Sequence, residues 1–478
     1  MITKASVDRG ALVSILCTCI GTGILQLPLT LKQGGWLCVA LIFLVAAVTN
    51  TTGRWLIKCL YADGGSVNGL TAGRRLNDYP AIGEAACGTC GRVTVQIFHK
   101  LTLLGVTTIF MVLTAKFLLE GIGGGGEGFV PSLGSEEDAV AWQKRYAIIA
   151  GVCVWFPVVF IKTMKEIAPL AYFGMLASLL CVLEIVVFAL IIKPVTAESV
   201  HEFNLPVPPT FLNSTSIKAG GSVAHHLFQP GQFPVAFSAI TLSFGGHAVF
   251  PDIEKAMPDR DKFASTFNLA YVVLLVVYVL AAVFGFFTFG DITYSPILCN
   301  FPRSTSTVMG AVTASTKLLI AFHVMSAYPI LMTVMTTEIE QSLGWMSRDE
   351  TGGEDKLVGY TQESALLDSA DAHGKKESNG SFVKRLMLRT VLVSATVCVA
   401  VFVPFFGLLM ELVGALCLTM MVFVLPVIFS FQLWGDRMSM PQKVFGLFIV
   451  AVGGIGGTIG TVQALSDIAK ALRAGKHE

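Results

Sequence analysis

Apolar runs of about twenty residues recur along this chain, and a run of that length with almost no charge belongs inside a lipid bilayer. Eleven can be marked, at 11–31, 36–56, 98–119, 146–161, 169–192, 233–250, 267–289, 308–335, 388–410, 412–433 and 444–462. The fourth is short, and the ninth and tenth are nearly fused. Of the 478 residues, 54% are hydrophobic and only 14% charged, against about a quarter charged in soluble domains; the mean hydropathy is +0.70. Ten-residue alternating stretches, the mark of a membrane barrel, do not recur. The expected class is an all-α polytopic membrane protein with 11 transmembrane helices. A formal net charge of +1 offers no basic field, so nucleic acid is not an expected partner; the lipid bilayer is. The eleven cysteines lie mostly in apolar runs, which speaks against a secreted disulfide framework. No cleavable leader is expected ahead of 11–31.

Two of these runs are built to break. The first contains Gly21-Thr22-Gly23-Ile24-Leu25-Gln26-Leu27-Pro28. Glycine loosens the backbone, while proline removes one N–H and blocks the partner of a carbonyl. In hydrocarbon the freed groups must meet protein, ligand, ion or water. The sixth run repeats the device in Ser243-Phe244-Gly245-Gly246-His247-Ala248-Val249-Phe250-Pro251. Gly/Pro interruptions in corresponding positions of two halves point to a transporter site between inverted repeats. Five spans per half also invert the second half, with the eleventh helix as an addition. Close packing alone is the plainer use of such pairs, but it does not explain the matched position.

Positive residues fix the expected orientation. With the N-terminus cytoplasmic, inside segments collect Lys4, Arg9, Arg54, Lys58, Lys162, Lys165, Lys255, Arg260, Lys262, Lys384, Arg385 and Arg389 among others, and outside segments hold far fewer. The expected organisation is a short cytoplasmic N-terminus (1–10), a first repeat of helices 1–5 (11–192) and an extracytosolic loop (193–232). A second repeat of helices 6–10 (233–433) follows, carrying a cytoplasmic insert at 341–385, then helix 11 and an extracytosolic tail (434–478). The insert is rich in Glu, Asp, Ser, Gly and Lys with few aromatics and is expected to be mobile. Asn213 in Asn213-Ser214-Thr215 falls outside, where a glycosylation acceptor is usable.

The first-run signature, with Gly34-Gly35-Trp36 after it, resembles the first helix of the amino acid/auxin permease family. Ser243 through Pro251, followed by 259–263, resembles the fungal vacuolar neutral amino acid and vesicular inhibitory amino acid branch of that family. His323-Val324 with Tyr328-Pro329 is similar to its eighth helix, and Gly414-Ala415 through Leu425-Pro426 to its tenth. A short segment before the first helix and a long insert depart from that branch and leave the compartment open: vacuolar, lysosomal or other endomembrane, or plasma membrane.

The resemblance implies a leucine-transporter-type fold, a 5+5 inverted repeat plus one extra helix with helices 1 and 6 broken. It implies secondary active transport of amino acids, neutral ones foremost, by alternating access. Gly21, Thr22, Gly23 and Ile24 would then meet the substrate's carboxylate at the positive start of a half-helix. Ser243, Phe244, Gly245 and Gly246 would offer carbonyls to the α-ammonium, with Ile24 and Phe244 measuring the side chain. No organic cofactor or metal is implied, and the chain is expected to work as a monomer.

Ionisable residues within spans cost about 2.5–3.5 kcal/mol each on insertion scales, so each needs a reason. His323, mid-helix in the eighth span, and His247, at the sixth-helix break, suit proton coupling by their titration range and equally suit packing. Glu184 in the fifth span is a structural acid or a coupling acid. Lys317 stands in for a bound cation or, the preferred reading, snorkels outward. Lys116, Glu120 and Glu411 are read as interfacial. Proton coupling or exchange leads; sodium coupling stays open, because sodium sites rest on carbonyls and hydroxyls that sequence does not display. An amino-acid-sensing receptor built on the same site also stays open. An enzyme is not expected, since no nucleophile–base–acid set recurs. Cys87-Gly88-Thr89-Cys90 has no second pair beside it, and no redox or zinc role is assigned to it.

Overall fold

A computed structural model describes residues 7–61, 75–123, 136–160, 168–212, 221–302, 307–343, 379–403 and 405–474. Every marked run falls on a helix, and among the described residues eight helices are long and apolar enough to cross a membrane. The first run is split. Helix α1 (Arg9–Cys19) is capped by Asp8, whose carboxylate accepts from the Ala11 N–H. A 3-10 turn (Thr22–Leu25) follows, and α2 (Leu27–Gly34) restarts with Pro28 in its first turn, where a missing N–H costs nothing. Gly35, at φ +80, turns the chain into α3 (Leu37–Cys59). The corner is held from outside, since Trp36 and Leu37 donate to the carbonyls of His226 and Leu227.

Next come α4 (Tyr79–Gly123), kinked at Cys87 and Gly88, then α5 (Glu136–Phe160), α6 (Ala168–Ile192) and the short α7 (Ala197–Phe203). The sixth run is split as well, into α8 (Phe233–Ser243) and α9 (Phe250–Ala256). Helices α10 (Phe263–Phe289), α11 (Val308–Ser342) and α12 (Asn379–Phe402) follow. The tenth run is α13 (Phe406–Val413), a π-helical stretch (Gly414–Val424) and α14 (Leu425–Trp434); the last helix is α15 (Met440–Ala474).

Several sequence boundaries move. The fourth helix is not short, because α5 reaches back to Glu136 through a polar start that a hydropathy run does not register. The ninth and tenth spans are not fused: the chain breaks between Phe402 and Phe406, so residues 406–410 belong to the tenth. Helices enter both ends of the 341–385 insert, to Ser342 and from Asn379, and α15 continues to Ala474 through the segment expected as a tail. The insert's middle and Asn213 lie outside the described residues.

The two broken helices form the centre. Helix α8 packs on α2, the 3-10 turn, α3, the π stretch, α13 and α15, while α1 packs on α9 and α10. Val235 through Ile240 are all buried. Helix α10 shows the division of faces: Phe267, Tyr271, Leu274 and Tyr278 point inward, and Leu269, Val272, Val276 and Leu280 lie on the outside. Both faces are apolar, as hydrocarbon on one side and protein on the other require.

The π stretch begins where α8 comes closest. A Cβ on Gly414 would collide with the carbonyl oxygen of Ser238, so this crossing needs a residue without a side chain. Gly414→Val is expected to cost about 1–3 kcal/mol through overpacking. Thermal unfolding of the purified protein in detergent checks this; an unchanged midpoint would show that α8 and the π stretch can part freely.

Candidate functional site

At both breaks a helix ends facing the other. Last-turn carbonyls lack intrahelical partners, and the final residues of α1 and α8 are Cys19 and Ser243. Both carbonyls reach one side chain: the Tyr278 hydroxyl of α10 lies 2.5 Å from Cys19 O and 2.6 Å from Ser243 O, so the two share its single proton. The breaks are also in direct contact. A Cβ on Gly23 would lie 2.7 Å from Ser243 Oγ and 2.9 Å from its Cα, so glycine at 23 is what allows this approach. A Cβ on Gly245 would meet the Leu418 side chain, and one on Gly246 the Phe250 ring and the Cys19 thiol.

A pocket opens on the other side of the first break. It is lined by Gly21, Thr22, Ile24 and Leu25, by Ser178 and Cys181 of α6, and by Ile320 and His323 of α11. Its open volume, about 10 Å³, has room for a single water. Among the described residues, no carboxylate, lysine or arginine lines it. The pocket thus gathers three substrate candidates, Gly21, Thr22 and Ile24, with one coupling candidate, His323. Gly174 lies flat against the His323 ring, with no space for a Cβ, and the buried Nδ1 of that ring has no hydrogen-bond partner among the described residues. Such an atom calls for a water, an ion or a ligand.

The second break stands apart from this pocket. Phe244 stacks on Tyr271 at 6.2 Å and meets Tyr278 edge-on at 4.8 Å, so its side chain is committed to α10. His247 is buried, with Nε2 2.9 Å from Thr52 Oγ1 and its ring against Phe250. Because the Thr52 hydroxyl is within reach of Val48 O and Thr49 O, the imidazole is placed to donate to it.

The remaining ionisable residues form pairs. Thr313 donates to Glu184 at 2.6 Å, and Glu184 lies one helical turn beyond the pocket residue Cys181. Lys317 does not snorkel: its side chain is 1% exposed and pairs with Glu120 at 2.8 Å. Lys116, Glu120 and Glu411 are not interfacial either. Lys116 is buried and donates to Ser295 O at 3.2 Å. Glu411 is 1% exposed and accepts from Gln33 at 2.6 Å. Position near the end of an apolar run suggested water, whereas the loop after α10 covers these side chains.

Two polar closures flank the breaks. On the N-terminal face, Arg75 Nη2 reaches Glu254 Oε2 of α9 at 2.6 Å and Pro251 O at 2.7 Å, and Tyr61 donates to the other carboxylate oxygen. On the opposite face, Gln26 and Gln33 meet Glu411, and Ser295 donates to the Gln26 side-chain oxygen. Sequence reading passes over Tyr278, Gln26 and Glu254, and misplaces Glu411. Signals exist for two of them: Tyr271 and Tyr278 lie seven residues apart on one helical face, and Gln26 is a lone amide inside the Gly21–Pro28 break.

Residues 4–466 match the family described as transmembrane amino acid transporter protein. Amino acid transporter AVT1C of Arabidopsis thaliana is 24% identical over 461 residues, covering 96% of this chain and 69% of its own. Vesicular inhibitory amino acid transporter of Homo sapiens is 25% identical over 464 residues, covering 96% and 75%. Among solved structures, MhsT in complex with L-phenylalanine aligns over 96% of this chain and 98% of its own, at 11% identity and a TM-score of 0.49.

The shared Tyr278 hydroxyl gives the paired breaks a direct test. Tyr278→Phe removes the one proton that two buried carbonyls share, which is expected to cost about 1–3 kcal/mol, read as a lowered thermal midpoint in detergent. Tyr271→Phe, which leaves that hydroxyl in place, is expected to change the midpoint less; equal losses would deny Tyr278 its special place.

Proposed function

Because the chain belongs to the transmembrane amino acid transporter family, we propose that it carries neutral amino acids through its membrane by alternating access, driven by a proton gradient. The pocket between the first break, α6 and α11 carries this reading. Its lining has backbone-rich glycine and threonine positions and hydroxyl, thiol and imidazole groups, but no fixed charge to match a charged substrate side chain. The turn at Thr22–Leu25 leads into the positive end of α2, which suits a carboxylate. With Ser243 O engaged by Tyr278, the ammonium falls to the remaining carbonyls of the break or to His323. His323 is the foremost proton candidate, since it is the imidazole of the pocket lining and its Nδ1, packed against Gly174, has no hydrogen-bond partner among the described residues. His247, Glu184 and Lys317 each have a protein partner and are not among the residues that line the pocket.

Alternating access accounts for the two closures. A pocket with room for one water must widen to admit an amino acid, and the Glu254 and Glu411 sets each tie a half-helix to a neighbouring element on one face. The matched breaks support an inverted 5+5 repeat with α15 outside it; we take the chain to be a monomer with its N-terminus in the cytosol, in an endomembrane or the plasma membrane.

Purified protein in liposomes, offered a panel of amino acids under imposed proton and sodium gradients in turn, tests the reading. Uptake of small neutral amino acids with the proton gradient alone is expected. Binding without flux would make the chain a receptor, and uptake only with sodium would replace the proton. Gly23→Leu is expected to cut uptake at least about tenfold, a loss of roughly 1.4 kcal/mol or more, with membrane insertion intact; Gly245→Leu, whose Cβ would press chiefly on the Leu418 side chain and stand 3.2 Å from Leu242 O, is expected to cut it less. His323→Gln is expected to flatten the pH dependence of uptake, and an unchanged profile would reduce His323 to packing.

A further inference from the structure

Glu411 has no place in the pocket, yet both of its amide donors come from the broken first helix. Gln33 Nε2 on α2 donates at 2.6 Å and Gln26 Nε2 at 3.5 Å to the same carboxylate oxygen. The Gln26 amide has a fixed sense, because the Glu411 carboxylate can only accept, which turns the amide nitrogen to it and leaves the amide oxygen to accept from Ser295 Oγ. Ser295 is in turn held through its carbonyl by Lys116. Gln26 is also the last link of the break: its N–H donates to Gly23 O at 3.1 Å and its carbonyl accepts from Thr30 N at 3.2 Å. A buried carboxylate on α13 therefore grips the restarting half of helix 1 at two points, one of them covalently continuous with the pocket wall Gly21–Leu25.

We propose that Glu411 is a proton-accepting residue of the transport cycle: as a carboxylate it clamps α2 to α13, and on taking a proton from solution it lets α2 go, opening the pocket toward the face away from the N-terminus. This rests on the proton-driven reading above and names the group through which the proton acts. Hydrogen bonds to a charged acceptor are roughly twice as strong as neutral ones, so protonation weakens both amide contacts at once. Both amides meet one oxygen, Oε1, which leaves Oε2 as the oxygen to take the proton, and the charge that strengthens both contacts is then gone.

Charged groups stand on the elements around it. Lys32 of α2 donates to Thr293 O, Lys116 of α4 is on Ser295 O, and Glu120 pairs with Lys317 of α11. Helix α8 carries no ionisable side chain, and the π stretch carries only the Cys417 thiol. On α15, Asp467 pairs with Lys470 in solvent, with Arg473 beyond them and Lys443 at the far end. In the loop after α10, Asp291 meets His226 at 3.2 Å.

The test uses full-length protein in liposomes with radiolabelled glycine, L-alanine and L-phenylalanine as probes. Glu411→Gln is expected to lose accumulation driven by a proton gradient, and any exchange it retains is expected not to vary with pH; Glu411→Asp is expected to restore a pH-dependent profile. A wild-type pH profile in Glu411→Gln overturns the proposal. A wild type that moves none of the probes overturns the transport reading, and the clamp is then judged without flux. With Cys181 of the pocket as the sole cysteine, labelling by a membrane-impermeant maleimide from the face away from the N-terminus is compared at each pH. Glu411→Gln is expected to label severalfold faster than the parent at neutral pH, with the two converging in acid; equal rates throughout overturn the clamp. Should Glu411→Gln fail to fold, Gln33→Ala takes its place and is expected to label faster in the same way; a rate equal to the parent's at every pH likewise overturns the clamp.

Discussion

One hydroxyl group carries the constraint on which this molecule depends. Breaking a helix inside an apolar bundle strands carbonyls that neither lipid nor apolar side chains can satisfy. Here two helices break at the same place, and Tyr278 reaches both stranded ends, Cys19 O and Ser243 O. The arrangement works only if the ends lie close, which Gly23 permits by presenting no side chain to Ser243. The phenol must also be held, and Phe244 does so edge-on from the second break itself. The breaks, the glycine and the tyrosine are thus one solution to one hydrogen-bonding problem, and the pocket is the space left beside it.

The ionisable residues obey the same rule on a larger scale. None of Glu120, Glu184, Glu254, Lys317 or Glu411 faces hydrocarbon; each meets a partner on a different helix or loop. Removing one partner from such a buried pair is far more costly than the net gain from forming it. These contacts therefore hold specific helices in register without making the whole very stable. Two of them, at Glu254 and Glu411, sit where half-helices meet their neighbours, so the same groups that fix the closed form can release it when a charge or a contact changes.

Much of the architecture could be read from the chain because its signals are local. Gly21, Gly23 and Pro28, and again Gly245, Gly246 and Pro251, announce a break within eight or nine residues of sequence, and apolar length announces a span. The partners of those breaks were not legible in the same way. Tyr278 stands 259 positions from Cys19, and Glu411 stands 378 from Gln33. Nothing near Glu411 distinguishes a carboxylate at a water interface from one roofed by the loop carrying Ser295. The second break illustrates a subtler limit. The sequence marks Ser243–Gly246 as unwound, but whether its carbonyls serve a ligand or a tyrosine depends on which face α10 turns inward, and two tyrosines on one stripe gave the only hint.

The small pocket and the tight breaks belong to the same argument. Because Gly23 lies against Ser243 without slack, the first break cannot widen alone; either α1 or α2 must swing, carrying the turn with it. Helix α1 is tied toward α10 through Cys19 and Tyr278, and α2 toward α13 through Gln33 and Glu411. Freeing α2 leaves the Tyr278 contacts whole, so the pocket can open on one face while the joined ends of α1 and α8 stay together. A broken helix with each half tied to a different neighbour is therefore a hinge with two independent latches, and a site held at such a hinge can face one side at a time.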